Sequence, residues 1–212
     1  MTLQNEDVIG VVLAGGRARR MGGGDKCRLE IEGSSLLVHG LQRLAPQVET
    51  MILNTNGEEE RFASFRLPVV VDPIDDYAGP LAGVLAGMRW AERHRVQSRH
   101  IVTIASDTPF FPRDLVSRLV DATVDKPDAI ALATSNGGLH PVFGLWPVAL
   151  ADDLQRALEA GVRKARAFAA SHKMIEVRFE GYHRNGEEID PFFNINSPED
   201  LDCARELAKH IK

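Results

Sequence analysis

Val8-Ile9-Gly10-Val11-Val12-Leu13-Ala14, ended by Gly15-Gly16, carries no polar side chain and is rich in β-branched residues. A half-exposed strand would alternate, so the run reads as a parallel strand buried on both faces. Downstream, Leu36, Leu37, Leu41 and Leu44 recur at helical spacing behind Ser34 and Ser35, either of which can cap, with Pro46 after the last turn. Val48 to Leu53, Val69 to Val71 and His100 to Ala105 read as further strands, with a helix around Leu81 to Arg93 before the last of these. The second half continues with strands at Ala129 to Thr134 and His140 to Trp146, a helical pattern from Leu150 to Ser171, a strand near Met174 to Phe179 and a last helix after Ser197. Ser197-Pro198-Glu199-Asp200 is a helix opening, with a capping serine, a first-turn proline and two acids at the positive dipole end. Gly181 to Glu188 is rich in turn residues and reads as a flexible excursion between strands. Alternating strands and helices with short connections predict a three-layer α/β fold, an open, mostly parallel sheet with helices on both faces, whose ligands lie beyond the carboxyl ends of the strands.

The 212 residues and 44% hydrophobic content suit one domain spanning 1–212. A net charge of -5 argues against a general nucleic-acid or anionic-membrane surface, so an anion site has to be local. Cys27 and Cys203 lie far apart, outside any CxxC or metal-knuckle spacing, and read as reduced thiols. The polar, acidic start is unlike a signal peptide, and no apolar run approaches the ~20 residues of a membrane span. A cytoplasmic protein is expected.

The stretch from Leu13 to Lys26, Leu-Ala-Gly-Gly-Arg-Ala-Arg-Arg-Met-Gly-Gly-Gly-Asp-Lys, joins a buried strand to a dense set of glycines and cations. Glycines let backbone N–H groups turn toward a ligand, and Arg20 and Lys26 add the positive charge a triphosphate needs. Phosphate binding is expected. The loop is not a Walker A motif, because Asp25 separates Gly24 from Lys26 and Cys27 stands where Ser or Thr would hold a metal. It also lacks G-x-G-x-x-G in register with the strand end. Asp107 follows an apolar strand, so its carboxylate either emerges at the ligand end of the sheet or caps the turn before Pro109.

Leu13-Ala14-Gly15-Gly16 with Arg20-Met21-Gly22-Gly23 and Asp25-Lys26 closely resembles the signature of the molybdenum cofactor guanylyltransferases, a branch of the Rossmann-like nucleotide-diphospho-sugar transferase fold. Asp72, Asp76 to Gly83, Asp107-Thr108-Pro109-Phe110 and Phe193 to Leu201 resemble that family's later motifs in order, so the likeness covers most of the chain. The resemblance implies transfer of GMP from GTP to the terminal phosphate of molybdopterin. It implies Leu13, Ala14, Gly15 and Gly16 at the nucleotide, Lys26 on its phosphates, Asn54 at the nucleoside and Asp72, which taken alone reads as a turn residue, in nucleotide recognition or the metal surroundings. Asp107 would hold Mg2+, which takes one or two carboxylates plus phosphates and water. Arg20, Lys26 and Asp107 would form the catalytic set.

Asn194 and Asn196 alternate along an extended segment and so face one way, and the family places such a pair at the acceptor side, to hold the acceptor phosphate or support the metal, set against cap and turn bonding next to Ser197-Pro198. Asn54-Thr55-Asn56-Gly57 also reads as a turn. His140 and the group Arg163, Lys164 and Arg166 are further candidates for acceptor contact, set against a structural histidine and a solvated charged face. Trp90 and Trp146 read as core or pocket wall. The same fold accommodates a cytidylyltransferase or a sugar-phosphate nucleotidyltransferase, and a non-catalytic nucleotide-binding protein is the reading from another class. A monomer is expected, with GTP and molybdopterin as substrates, transient contact with molybdenum-insertion or cofactor-receiving proteins, and neither nucleic acid nor membrane as partner.

Overall fold

The computed structural model describes residues 8–15, 26–56, 59–74, 79–184 and 187–209. Its elements are β1 (Val8–Leu13), β2 (Glu30–Ile31), β3 (Ser34–Ser35), α1 (Leu36–Leu44), β4 (Thr50–Thr55), β5 (Val69–Val71), α2 (Pro80–His94), β6 (His100–Ala105), α3 (Leu115–Thr123), β7 (Ile130–Ser135), β8 (Gly138–Pro147), α4 (Ala151–Glu159), α5 (Ala165–Ala170), β9 (Met174–Arg178), β10 (Tyr182–Arg184), β11 (Glu187–Ile189) and α6 (Pro198–Ala208). The main sheet has seven strands in the order β5-β4-β1-β6-β8-β7-β9. All its pairings are parallel except those of β8, which runs antiparallel between β6 and β7.

The run that opens the chain lies at the centre of this sheet. Its alternate side chains point to opposite faces, as the pleat requires. Val8 and Val12 pack with Leu37, Leu41 and Leu44 of α1 and Leu115 and Leu119 of α3. Ile9 and Val11 pack with Leu81, Leu85 and Met88 of α2, and the same core takes in Leu154 of α4 and Phe168 of α5. A third cluster joins α6 to the β2–β3 hairpin through Ile31, Leu36, Leu201 and Leu207. Among the described residues no helix is long and apolar enough to cross a membrane.

Several local expectations change. The helical pattern over 150–171 is two helices, because Gly161 adopts φ +89°, which breaks the first of them. Helix α3, between Pro112 and the β7 strand, was not anticipated from the sequence. β4 runs two residues beyond the expected end, so Asn54 is 5% exposed within a strand and is not a turn residue. Of the segment 181–188, the described part is a two-stranded ribbon in which Tyr182 pairs with Ile189.

A network behind this ribbon braces the chain that follows β6. The buried Arg43 of α1 donates through Nε to the Phe111 carbonyl and through a terminal nitrogen to Tyr182 Oη at 2.8 Å. Tyr182 Oη donates in turn to the Phe110 carbonyl at 2.9 Å. Gln47 donates to the Pro112 carbonyl at 3.3 Å and accepts from the Val116 N–H at 3.0 Å. Hydrogen bonds from a charged donor are worth about 1.5–3 kcal/mol. Arg43→Met is therefore expected to lower the unfolding free energy by about 2–3 kcal/mol in urea titration, and a change under about 0.5 kcal/mol would show the brace to be idle.

Candidate active site

Strands β1, β4, β5 and β6 end on one side of the sheet, and the residues just beyond them line a cavity of about 350 Å³. Its walls include Leu13, Gly15, Lys26, Asn54, Asp72, Asp107 and Asn194. At one end stands Lys26, 7% exposed at the start of a 3-10 turn over Lys26–Arg28. Its ammonium donates to Asp107 Oδ2 at 2.5 Å, Asn196 Oδ1 at 2.6 Å and Asn194 Oδ1 at 3.1 Å. An ammonium has three donors and no acceptor, so three oxygens satisfy it fully. The two asparagines do share a face, with buried Ile195 turned away between them. Their segment is fixed by the Ile195 N–H, which donates to the Asp107 carbonyl at 3.0 Å. Beyond it, Ser197 and Asp200 cap α6 reciprocally.

At the other end, Asn54 Nδ2 donates to Asp72 Oδ1 at 2.8 Å and to the Val70 carbonyl at 3.3 Å. Burial raises the pKa of Asp72 above the ordinary carboxylate value, opposed by its bonds from Asn54 and Asn56. An ionised carboxylate accepts only, and this one stands in the wall of the cavity. Helix α2 comes very close here. A Cβ on Gly83 would stand 2.3 Å from Asn54 Oδ1 and 2.7 Å from Leu13 Cδ2, so only glycine fits.

Not every expected residue faces the cavity in the expected way. Ala14 is 3% exposed, and its N–H donates to the Asn54 carbonyl at 2.8 Å, while the Leu13 carbonyl accepts from the Ser106 N–H at 3.2 Å. Those two backbone groups extend the sheet, whereas Gly15 stays open to the cavity. Gly16 and Arg20 lie outside the described residues, as do Met21 to Asp25 and Asp76 to Ala78. Arg163 donates to the Leu158 carbonyl at 2.5 Å and so finishes α4. Trp146 is fully buried in the core, and Trp90 stacks on His94 at 4.8 Å. Cys27 and Cys203 are free thiols, and burial pushes Cys27 up to about 11. Asn56, Ser106 and Val142 also line the cavity without having been singled out. Asn56 stands just past the end of β4.

The family described as the MobA-like NTP transferase domain matches residues 10–175. A Bradyrhizobium sp. (strain ORS 278) protein named molybdenum cofactor guanylyltransferase is 48% identical over 202 residues, which are 95% of this chain and 93% of that protein. The crystal structure of molybdopterin-guanine dinucleotide biosynthesis protein A from Archaeoglobus fulgidus superposes with a TM-score of 0.74 at 23% identity, covering 95% of this chain and 98% of its own. A CMP:2-keto-3-deoxy-manno-octonic acid synthetase complexed with CTP superposes at 0.69 with 13% identity, covering 95% and 98%. The fold is that of the nucleotide-diphospho-sugar transferases.

The raised pKa of Asp72 means that its ionisation costs the folded state, because the folded protein holds that proton more tightly than the unfolded chain. Asp72→Asn removes the cost. The variant is expected to melt above the wild type at pH 7, with the difference vanishing as pH falls through the carboxylate range. A variant that melts lower at pH 7 would contradict this reading of Asp72.

Proposed function

This chain belongs to the molybdenum cofactor guanylyltransferases, within the MobA-like NTP transferase family, and we propose that Lys26, Asp107, Asn194 and Asn196, with the Asn54–Asp72 pair, carry that family's reaction here. GMP passes from GTP to the terminal phosphate of molybdopterin, pyrophosphate leaves, and molybdopterin guanine dinucleotide is formed. The observation that carries the residue assignment is the convergence of Asp107, Asn194 and Asn196 on one ammonium. It joins a loop that follows the first strand, an acid at a central strand end and a polar pair near the C-terminus.

A phosphate nucleophile is already ionised near neutral pH, so the acceptor needs placement more than deprotonation. Asn194 and Asn196 place it. Lys26 lies between them and Asp107, where it offsets charge that builds at phosphorus as the new P–O bond forms and the bond to pyrophosphate breaks. Arg20 and the amides of residues 16–25 are assigned to the triphosphate. At the far end Asp72 accepts from the donor groups on one edge of guanine. Cytosine presents a single exocyclic amine there, beside a ring nitrogen that accepts where guanine's donates, and a site built to bond two adjacent donors discriminates against a base that has only one.

Asp107 suits Mg2+. Among the described residues no group of three or more His, Cys, Asp or Glu could hold a metal alone. That matches an ion that takes one or two carboxylates and completes its shell with phosphate and water. The oxygens around Lys26 are hard donors already gathered about a cation. Bound at Asp107, Mg2+ would neutralise charge on the phosphates of GTP.

Asp107→Asn keeps an acceptor for the buried ammonium but removes its counter-charge, so some stability is lost, while turnover falls by about 10²–10³-fold, a far larger effect than the loss of fold. The assay is pyrophosphate release from GTP, CTP, ATP and UTP with Mg2+, with and without molybdopterin. Near-normal turnover by Asp107→Asn would remove this residue from the mechanism, and release from CTP in place of GTP would make the protein a cytidylyltransferase. Because Lys26 repels a second cation at Asp107, Lys26→Met is expected to bind Mn2+ about tenfold more tightly without nucleotide, measured by water proton relaxation, although its turnover falls.

A further inference from the structure

Where β7 and β8 pair, Leu132 faces Gly144 but the next residue, Ala133, faces His140, so Pro141, Val142 and Phe143 are left out of that ladder. Such an irregularity re-aims side chains, and it accommodates a proline that has no N–H to give. It is pinned from inside the sheet, where Thr103 Oγ1 donates to the Val142 carbonyl at 2.5 Å and accepts from Trp146 Nε1 at 2.9 Å. Val142 is thereby placed in the cavity wall. His140 is turned toward the segment that carries the two asparagines.

The contacts of that imidazole are specific. Its ring stacks on Phe192 at 4.4 Å, and Phe192 is itself wedged against Phe143 at 4.9 Å and Phe179 at 5.6 Å. Nε2 lies 2.6 Å from Ser135 Oγ, which accepts from the Gly137 N–H at 3.1 Å. Nε2 also lies 3.6 Å from Asp190 Oδ2. Asp190 ties the arm to itself. Its Oδ1 accepts from the Phe192 N–H at 2.8 Å, and its carbonyl accepts from the Phe193 N–H at 3.1 Å. A Cβ on Gly137 would come within 2.0 Å of Asp190 Oδ2, so the hairpin turn and the start of the arm are in close contact.

We propose that His140, held by Ser135 and Asp190 and stacked on Phe192, is a positioning residue that latches the Asp190–Asn196 arm to the β7–β8 hairpin and so sets Asn194 and Asn196 against Lys26. The far end of the arm is fixed by the Ile195–Asp107 bond and the α6 cap, and the latch supplies the near end. Without it the arm pivots about Ile195, and both asparagine oxygens lose their aim. The kinetic side of this role rests on the acceptor reading above, but the structural side does not.

Two measurements separate them. In ligand-free protein, His140→Phe keeps a ring on Phe192 but removes the polar link. Amide exchange of residues 192–195 is then expected to rise about tenfold, the worth of one hydrogen bond, with the melting temperature little changed. Unchanged exchange in that segment overturns the proposal, whatever the substrate is. With GTP, Mg2+ and molybdopterin, His140→Phe and Asp190→Asn should each lower kcat/KM for the acceptor about tenfold while GTP affinity stays within about twofold. The double variant His140→Phe/Asn196→Ala should be no slower than Asn196→Ala alone. Additive losses, or an intact Asp190→Asn enzyme, would mean that His140 touches the acceptor itself and is no latch. Raised exchange in a protein whose wild type does not turn over these substrates would leave the latch standing and fault the acceptor reading alone.

Discussion

An ammonium group that has left water must find oxygen for each of its protons, and Lys26 finds its three from places 81, 168 and 170 residues away in the chain. That requirement ties the start of the molecule to its middle and its end. The Lys26–Asp107 contact, with side-chain exposures of 9% and 18%, is shielded enough for its attraction to count for more than a surface pair would. A buried ion pair is weak evidence for stability alone, because desolvation offsets attraction. Its value here lies in place: a positive charge is fixed at the mouth of a cavity before any anion arrives.

The sheet makes this possible by bringing several strand ends to one side. In an open parallel sheet the carboxyl ends converge with no side chains to fill the crevice beyond them. Leu13, Asn54, Asp72 and Asp107 all sit at or just after such an end and line one cavity. Helix α2 closes a wall by passing so near Asn54 that Gly83 can carry no side chain. The antiparallel β8 breaks the parallel order, and its irregularity brings Val142 to the cavity wall and His140 to Phe192 and Asp190.

The two ends of the cavity differ in character. At the Lys26 end the ammonium and the Asp107 carboxylate partner each other, which suits a place where phosphates must be exchanged without leaving a bare ion behind. At the Asp72 end burial disfavours the charge and the two asparagine bonds only partly offset it. A carboxylate whose charge is disfavoured by burial is the complement of a base edge that offers donors. The same imbalance lowers the stability of the folded protein, a common accompaniment of function.

The strands of the first half and the expected ligand side of the sheet follow from the sequence alone, because continuous apolar runs ending in glycine or aspartate have few other readings in an α/β chain. So does the shared face of Asn194 and Asn196, which needs only the two-residue period of extended backbone. The sequence left open whether Asp107 capped a turn or faced a ligand, and whether Asn54 belonged to a turn or to the site, because strand ends depend on pairing partners that local composition does not reveal. The ribbon at Tyr182 was illegible for the same reason, whereas the split of the long helical pattern had a local signal in Gly161. Tertiary structure alone decided that Lys26 meets Asp107 and both asparagines, that Asp72 bonds Asn54, and that His140 braces a distant arm. Contacts between residues so far apart in the chain arise when the whole sheet closes, and no local period or propensity encodes them.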